Sequence, residues 1–264
     1  MKRPVVYAHR GASGYRMENT IPSFELAVAM KADAVEFDVQ LTADGSVIVF
    51  HDFDLARLFN EDTAVSALTA HELGSYRLRD PADGKPVGIP LLTNLLDAIA
   101  HKIRMNIELK NDDDRQDRIA ALCSSVYDRI RDYGLMEEVI VSSFNIAAIR
   151  QMRSLSVDLR LAVLVDQFAD DSVTGPAGQE GTLSSVLDIA HELNAAAINT
   201  SYGIADAGRV RRIHEGGFGI NVYTVNNEEL VKLLMEHGVD GFFTNYPDRM
   251  LAAIERELRQ NSTR

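Results

Sequence analysis

Cysteine is nearly absent from this 264-residue chain. The one thiol, Cys123, rules out an intramolecular disulfide and has no His or Cys at metal-ligand spacing, so it reads as a core residue. Basic residues are also in deficit: 27 Lys and Arg face 39 Asp and Glu, leaving a net charge of −12. That balance excludes the broad basic surface by which proteins bind nucleic acid or anionic membrane, while allowing a local anion site. No apolar run approaches membrane-spanning length. Met1-Lys2-Arg3-Pro4 runs straight into a short strand with no long apolar region or cleavage site, so no stable membrane insertion and a cytoplasmic location are expected. Internal repeats and low-complexity tracts are missing. Ser142 and Ser143 lack the glycine-flanked elbow of a serine hydrolase and read as local hydrogen-bonding groups. Gly216-Gly217-Phe218-Gly219 precedes a strand, the reverse of the order that cradles a nucleotide phosphate, and reads as a helix stop.

What is present is alternation. Short apolar runs recur at Val5–Ala8, Ala34–Gln40, Met105–Leu109, Val139–Ser142, Leu159–Val165, Ala195–Asn199, Gly219–Tyr223 and Gly241–Thr244. Between them lie helix-patterned segments, the first signalled by Thr20 and Pro22 and the last covering Met250–Leu258. Repeated strand and helix units predict parallel pairing, and this number of units predicts closure into a (β/α)8 TIM barrel, a fold that uses about 250 residues. An open doubly wound sheet is the other arrangement the alternation allows. The ends of the runs favour the barrel: His9, Asp38, Lys110, Ser143, Asn199, Thr224 and Asn245 all stand at or near C-terminal ends, where barrel enzymes build their sites.

The whole chain, 1–264, is expected to be a single barrel, with one small insertion at about 52–88, after the second strand. Thr69 and Glu72 stand at capping-box spacing there, and Asp80-Pro81-Ala82-Asp83-Gly84 reads as a turn. The insertion is expected to cover the barrel mouth. The acidic run Asn111-Asp112-Asp113-Asp114 is expected to cap the next helix, and Gly175–Gly181 to form a mobile loop.

Glu36-Phe37-Asp38 carries the most chemistry. Two carboxylates two residues apart on a strand share one face, opposite Val35, Phe37 and Val39. Asn106-Ile107-Glu108-Leu109-Lys110 repeats the pattern. Taken singly, either strand reads as a solvated face; in a barrel, the apolar parity faces the helices and the three acids converge with Lys110. Such an oxygen-only cluster suits one hard divalent cation, Mg²⁺ or Ca²⁺. His9-Arg10-Gly11 places a proton carrier beside a planar donor for phosphate oxygens, with a glycine that admits close backbone approach. His51, before Asp52, offers a second imidazole on a neighbouring strand, so the two rings can serve as base and acid. The remaining histidines, His71, His101, His191, His214 and His237, read as helix-face residues.

Together His9-Arg10-Gly11, Glu18-Asn19-Thr20, Glu36-Phe37-Asp38, His51-Asp52, Glu108-Leu109-Lys110 and Thr244-Asn245-Tyr246-Pro247-Asp248 resemble the glycerophosphodiester phosphodiesterase family. The resemblance implies a TIM barrel with an insertion after the second strand, and metal-dependent hydrolysis of glycerophosphodiesters to glycerol 3-phosphate and an alcohol. It also implies Glu36, Asp38 and Glu108 as metal ligands, His9 and His51 as the acid and base pair, and Arg10 and Lys110 as cations on the phosphate. Glu18 falls near the metal or the glycerol, and Phe144 and Tyr223 shape the glycerol pocket. Tyr223 replaces a tryptophan common in the family and keeps an aromatic wall; Asn245 replaces the usual aspartate and loses a charge. The implied partner is a small glycerophosphodiester, with a homodimer left open. A lysophospholipase D and a noncatalytic barrel that binds a phosphorylated metabolite are the competing readings.

Overall fold

The computed structural model describes residues 2–111, 115–169, 172–174 and 180–262. Among these, the barrel strands are β1 (Val5–His9), β2 (Ala34–Leu41), β3 (Arg104–Leu109), β4 (Val139–Ser143), β5 (Arg160–Val165), β6 (Ala197–Ser201), β7 (Gly219–Tyr223) and β8 (Gly241–Thr244). The intervening helices are α1 (Ile21–Ala29), α2 (Leu92–Ile99), α3 (Gln116–Asp132), α4 (Ile146–Leu155), α5 (Leu183–Glu192), α6 (Ala207–Glu215), α7 (Glu229–His237) and α8 (Pro247–Ser262). Every neighbouring pair in the ring is parallel, and closure is direct: β1 pairs with β8 through Val5↔Gly241 to Ala8↔Thr244, and with β2 through Tyr7↔Ala34 to His9↔Glu36. The barrel expected from the sequence is the one observed, and the open sheet is excluded.

Local signals explain the helix starts. At α1, Thr20 and Ser23 form a capping box and Pro22 occupies the first turn, where its missing N–H costs nothing. The Asn145 side chain accepts from the amides of Ala147 and Ala148 ahead of α4, and Asp206 does the same ahead of α6. On α3, Ile119, Leu122, Cys123, Val126 and Ile130 are buried at helical spacing, which sets the face turned to the strands. The main core lies between strands and helices. Val35, Phe37 and Val39 are fully buried there, and Phe37 meets Phe24 edge to face at 5.7 Å. Truncating Phe37 to alanine would cost about 3–5 kcal/mol.

The opposite strand parity fills the barrel with polar groups. Asn106 Nδ2 donates to Ser142 Oγ at 2.8 Å, and Asn221 Nδ2 to Asn199 Oδ1 at 2.8 Å. Ile140, Ala162 and Ala197 form a small apolar cluster of that same parity, apart from the main core. Glu36 and Asp38 share this inward face, which explains acids on a wholly buried strand.

Two segments differ from expectation, and a third lies outside the described residues. The strand leading to His51, Val47–Val49, pairs antiparallel with β2 and lies outside the ring, so His9 and His51 do not occupy neighbouring barrel strands. Gln167–Ala169, Ser172–Thr174 and Glu180–Thr182 form an antiparallel sheet; of the loop expected at Gly175–Gly181, residues 175–179 lie outside the described residues and the last two are strand. Asp112, Asp113 and Asp114 also lie outside the described residues, and α3 begins at Gln116 after Arg115.

Residues 52–88 hold paired short strands and two one-turn helices, Ala56–Phe59 and Ala70–Leu73. The second helix starts on the expected capping box, with Thr69 N donating to Glu72 Oε2 at 2.8 Å. Ile48, Phe50, Leu55, Val65 and Leu73 give this region a small core of its own. No helix among the described residues is long and apolar enough to cross a membrane.

Candidate active site

The backbone turns sharply as β1 ends. Arg10 has φ 55° and Gly11 φ 82°, both in the left-handed region. Such geometry is strained for arginine, and at Gly11 a side chain would also run into Ser23. The turn aims the Arg10 amide at Glu36 Oε2, 2.9 Å away, and brings its guanidinium over the acids: Nε lies 3.4 Å from Asp38 Oδ2, and Nη1 donates to Glu18 Oε1 at 2.9 Å.

Glu36, Asp38 and Glu108 converge as expected, each offering an oxygen within 4.8 Å of the others. Their register explains this, since β2 and β3 pair Asp38 directly with Glu108. The three differ electrostatically. Burial, followed by the charges of Asp38 and Glu108, raises Glu36 well above the usual carboxylate range. Burial pushes Glu108 up to about 7 despite Lys110, whose Nζ lies 3.2 Å from Oε1. Burial also opposes ionisation of Asp38, but Lys110, Arg10, His51 and a 2.9 Å bond from Asn19 Nδ2 together hold it below the usual value. Glu36 Oε1 is buried with no hydrogen-bond partner. Crowded hard oxygens, two of them reluctant to ionise and one unpartnered, fit a hard divalent cation.

Both imidazoles are anchored through Nδ1. His9 Nδ1 lies 2.8 Å from Asn245 Oδ1, leaving Nε2 3.9 Å from Glu36 Oε2. Burial, then Arg10, lowers its pKa to about 4, so the ring is neutral at pH 7. His51 Nδ1 lies 2.7 Å from Asp52 Oδ1, and burial lowers its pKa as well. With Nδ1–H turned to these oxygens, each ring keeps Nε2 free for a substrate.

His9, Arg10, Glu36, His51, Glu108, Lys110, Phe144 and Tyr223 all line one cavity of about 160 Å³, with Asn106, Leu164, Thr224 and Phe243 completing it. Phe144 and Tyr223 meet edge to face at 6.1 Å, and Tyr223 donates its hydroxyl to Val165 O at 2.7 Å. Asp38 sits beneath this surface, 1% exposed, under Arg10 and Lys110. Glu18 is turned aside: its carboxylate is taken by Arg10 and by Arg57, and it does not line the cavity. Sequence reasoning passed over Asn19, Asn106 and Arg57. Asn19 and Asn106 stood inside or beside the motifs, whereas nothing in the local pattern at Arg57 marks its contacts. Ser143 donates to Leu109 O on the neighbouring strand at 2.7 Å and accepts from the amide of Asn145 at 3.0 Å.

A closed β/α barrel with acids, imidazoles and guanidinium gathered around a mouth-end cavity defines a barrel enzyme suited to an anionic ester. The comparisons narrow this. The model of the glycerophosphoryl diester phosphodiesterase family matches residues 9–249, and the chain belongs to that family of hydrolases. A glycerophosphodiester phosphodiesterase of Bacillus subtilis (strain 168) is 32% identical over 258 residues, covering 93% of this chain and 85% of its own. One from Bacillus altitudinis is 32% identical over 258 residues, covering 96% and 99%. A phosphodiesterase of Oleispira antarctica, solved with sn-glycerol 3-phosphate, has the same fold with a TM-score of 0.81 at 24% identity, covering 96% of this chain and 97% of its own.

Proposed function

We propose that this chain hydrolyses glycerophosphodiesters to glycerol 3-phosphate and an alcohol, with Glu36, Asp38 and Glu108 as ligands of one Mg²⁺ or Ca²⁺. The carrying observation is the convergence of three carboxylates with two imidazoles, each anchored through Nδ1, about one cavity. When bound, the cation supplies Lewis-acid stabilisation of the charge that builds on the phosphoryl oxygens. Arg10 and Lys110 add fixed positive charge beside those oxygens. His9, neutral at pH 7, takes the proton of the attacking oxygen on Nε2, whether that oxygen belongs to water or to the substrate's own glycerol hydroxyl. His51 delivers a proton to the departing alkoxide; burial works against the charged ring this requires, and Asp38 and the Asp52 carboxylate on Nδ1 offset part of that cost. Phe144 and Tyr223 wall the glycerol end. Glu18 acts through Arg10 rather than on substrate. Residues 52–88 cover the mouth of a single barrel spanning 1–264.

The test is release of glycerol 3-phosphate from glycerophosphoethanolamine, with EDTA and then with Mg²⁺ or Ca²⁺ restored. Metal-restored product is expected. Cleavage of lysophosphatidylethanolamine alone would replace this substrate with a lysophospholipid, and no turnover of either would refute the proposal.

A further inference from the structure

Arg57 touches the partners of both a candidate proton carrier and the phosphate clamp. It stands on the one-turn helix Ala56–Phe59, in the segment that precedes the Glu61–Ala64 strand. Nε donates to Asp52 Oδ2 at 2.6 Å, while Nη2 and Nη1 donate to Glu18 Oε1 and Oε2 at 2.6 and 3.1 Å. Asp52 uses its other oxygen on His51 Nδ1, and Glu18 Oε1 also accepts from Arg10. The planar fork therefore occupies two carboxylates at once, which an ammonium cannot do with the same geometry.

We infer that Arg57 is a positioning residue that sets the His51 tautomer through Asp52 and the Arg10 orientation through Glu18. The inference rests on the phosphodiesterase reading of His51 and Arg10. With Arg57 in place, Asp52 is held to one rotamer with Oδ1 facing the ring. His51 then keeps its Nδ1–H on Asp52 and turns Nε2 to the cavity, so the proton it delivers as the charged ring sits on Nε2. Without Arg57, Asp52 is free to leave the ring for water, since its side chain is already 18% exposed. Glu18 likewise loses its second guanidinium and with it the fixed angle at which it meets Arg10.

The experiment compares the full-length wild type with Arg57→Ala and Arg57→Lys. Steady-state kinetics on glycerophosphoethanolamine with Mg²⁺ or Ca²⁺ is one arm; the His51 tautomer from long-range ¹H–¹⁵N spectra, with His51→Ala for assignment, is the other. Removing a support of this kind is expected to lower kcat/KM by about 10- to 100-fold and to convert His51 from the Nδ1–H form to a tautomer mixture. Lysine is expected to recover less than half of the lost activity. If the wild type turns over no glycerophosphodiester, the functional reading fails, and the tautomer still decides whether Arg57 orients His51. If Arg57→Ala folds with an unchanged tautomer, the positioning role is overturned, whatever happens to the rate. Should the alanine variant not fold, Arg57→Lys carries both readouts, and wild-type values in it overturn the inference.

Discussion

Glu108→Gln is expected to stabilise the metal-free protein at pH 8, although it removes a charge that lies 3.2 Å from Lys110 Nζ. The folded protein holds Glu108 at about 7, whereas an unfolded glutamate titrates at about 4.3. A carboxyl with a raised folded pKa binds its proton more tightly in the native state. Its stabilising effect is complete below the unfolded value and is lost as pH climbs through the folded one. Ionising Glu108 by pH 8 therefore costs the fold about 4 kcal/mol, from a separation of roughly 2.7 units at about 1.4 kcal/mol each. Glutamine keeps the neutral shape and escapes that cost. In EDTA, the difference in unfolding free energy between variant and wild type is expected to widen from about 1 kcal/mol at pH 5 to about 4 at pH 8. Mg²⁺ or Ca²⁺ is expected to reverse the order, because the amide is a poorer ligand for a hard cation. Urea denaturation followed by far-UV circular dichroism measures this, since the chain has no tryptophan. A variant less stable than wild type in EDTA at pH 8, or a difference that does not grow with pH, refutes the reasoning.

His51→Ala is expected to leave the fold and metal binding intact while lowering turnover by about 10²- to 10⁴-fold, read by glycerol 3-phosphate release; an unchanged rate removes His51 from the proton transfers. Asn245→Asp puts a negative charge against His9 Nδ1 in place of an amide 2.8 Å away, which favours the charged ring. The acid limb of kcat/KM is then expected to move up by about one pH unit or more, and a limb that stays or falls contradicts His9 as the group that must be neutral. Cys123 is buried, and its thiol is pushed up to about 12 by that burial. It is expected to resist a thiol reagent at pH 8 until the protein unfolds; rapid labelling of native protein contradicts the packing of α3.

How far the site could be read in advance follows from where each residue's partners lie. Glu36 and Asp38 were legible because a strand's period of two puts them on one face within three residues. Glu108 and Lys110 were legible for the same reason. His51 was recognised, but it was set on a strand neighbouring that of His9, and only pairing shows that Val47–Val49 runs antiparallel to β2 rather than beside β1. Glu18 was expected near the substrate. Its diversion to Arg10 and Arg57 depends on Arg57, 39 positions away in the chain, a contact that no local pattern encodes. Asn245 looked like a lost charge and is the group that holds His9, 236 positions away.

By itself the sequence determined the order of the elements, the parity of each strand and the identity of the groups at the strand ends, because these depend on neighbours a few residues apart. Only the tertiary structure decided which parity faces inward, which carboxylate stays charged and which is pushed toward protonation, and which nitrogen of each imidazole is left free. Those outcomes depend on burial and on charges brought within about 4 Å from distant parts of the chain, where a low dielectric makes each neighbour count. Closure of β1 against β8 is what brings His9 to Asn245, and the chemistry of the cavity begins from that contact.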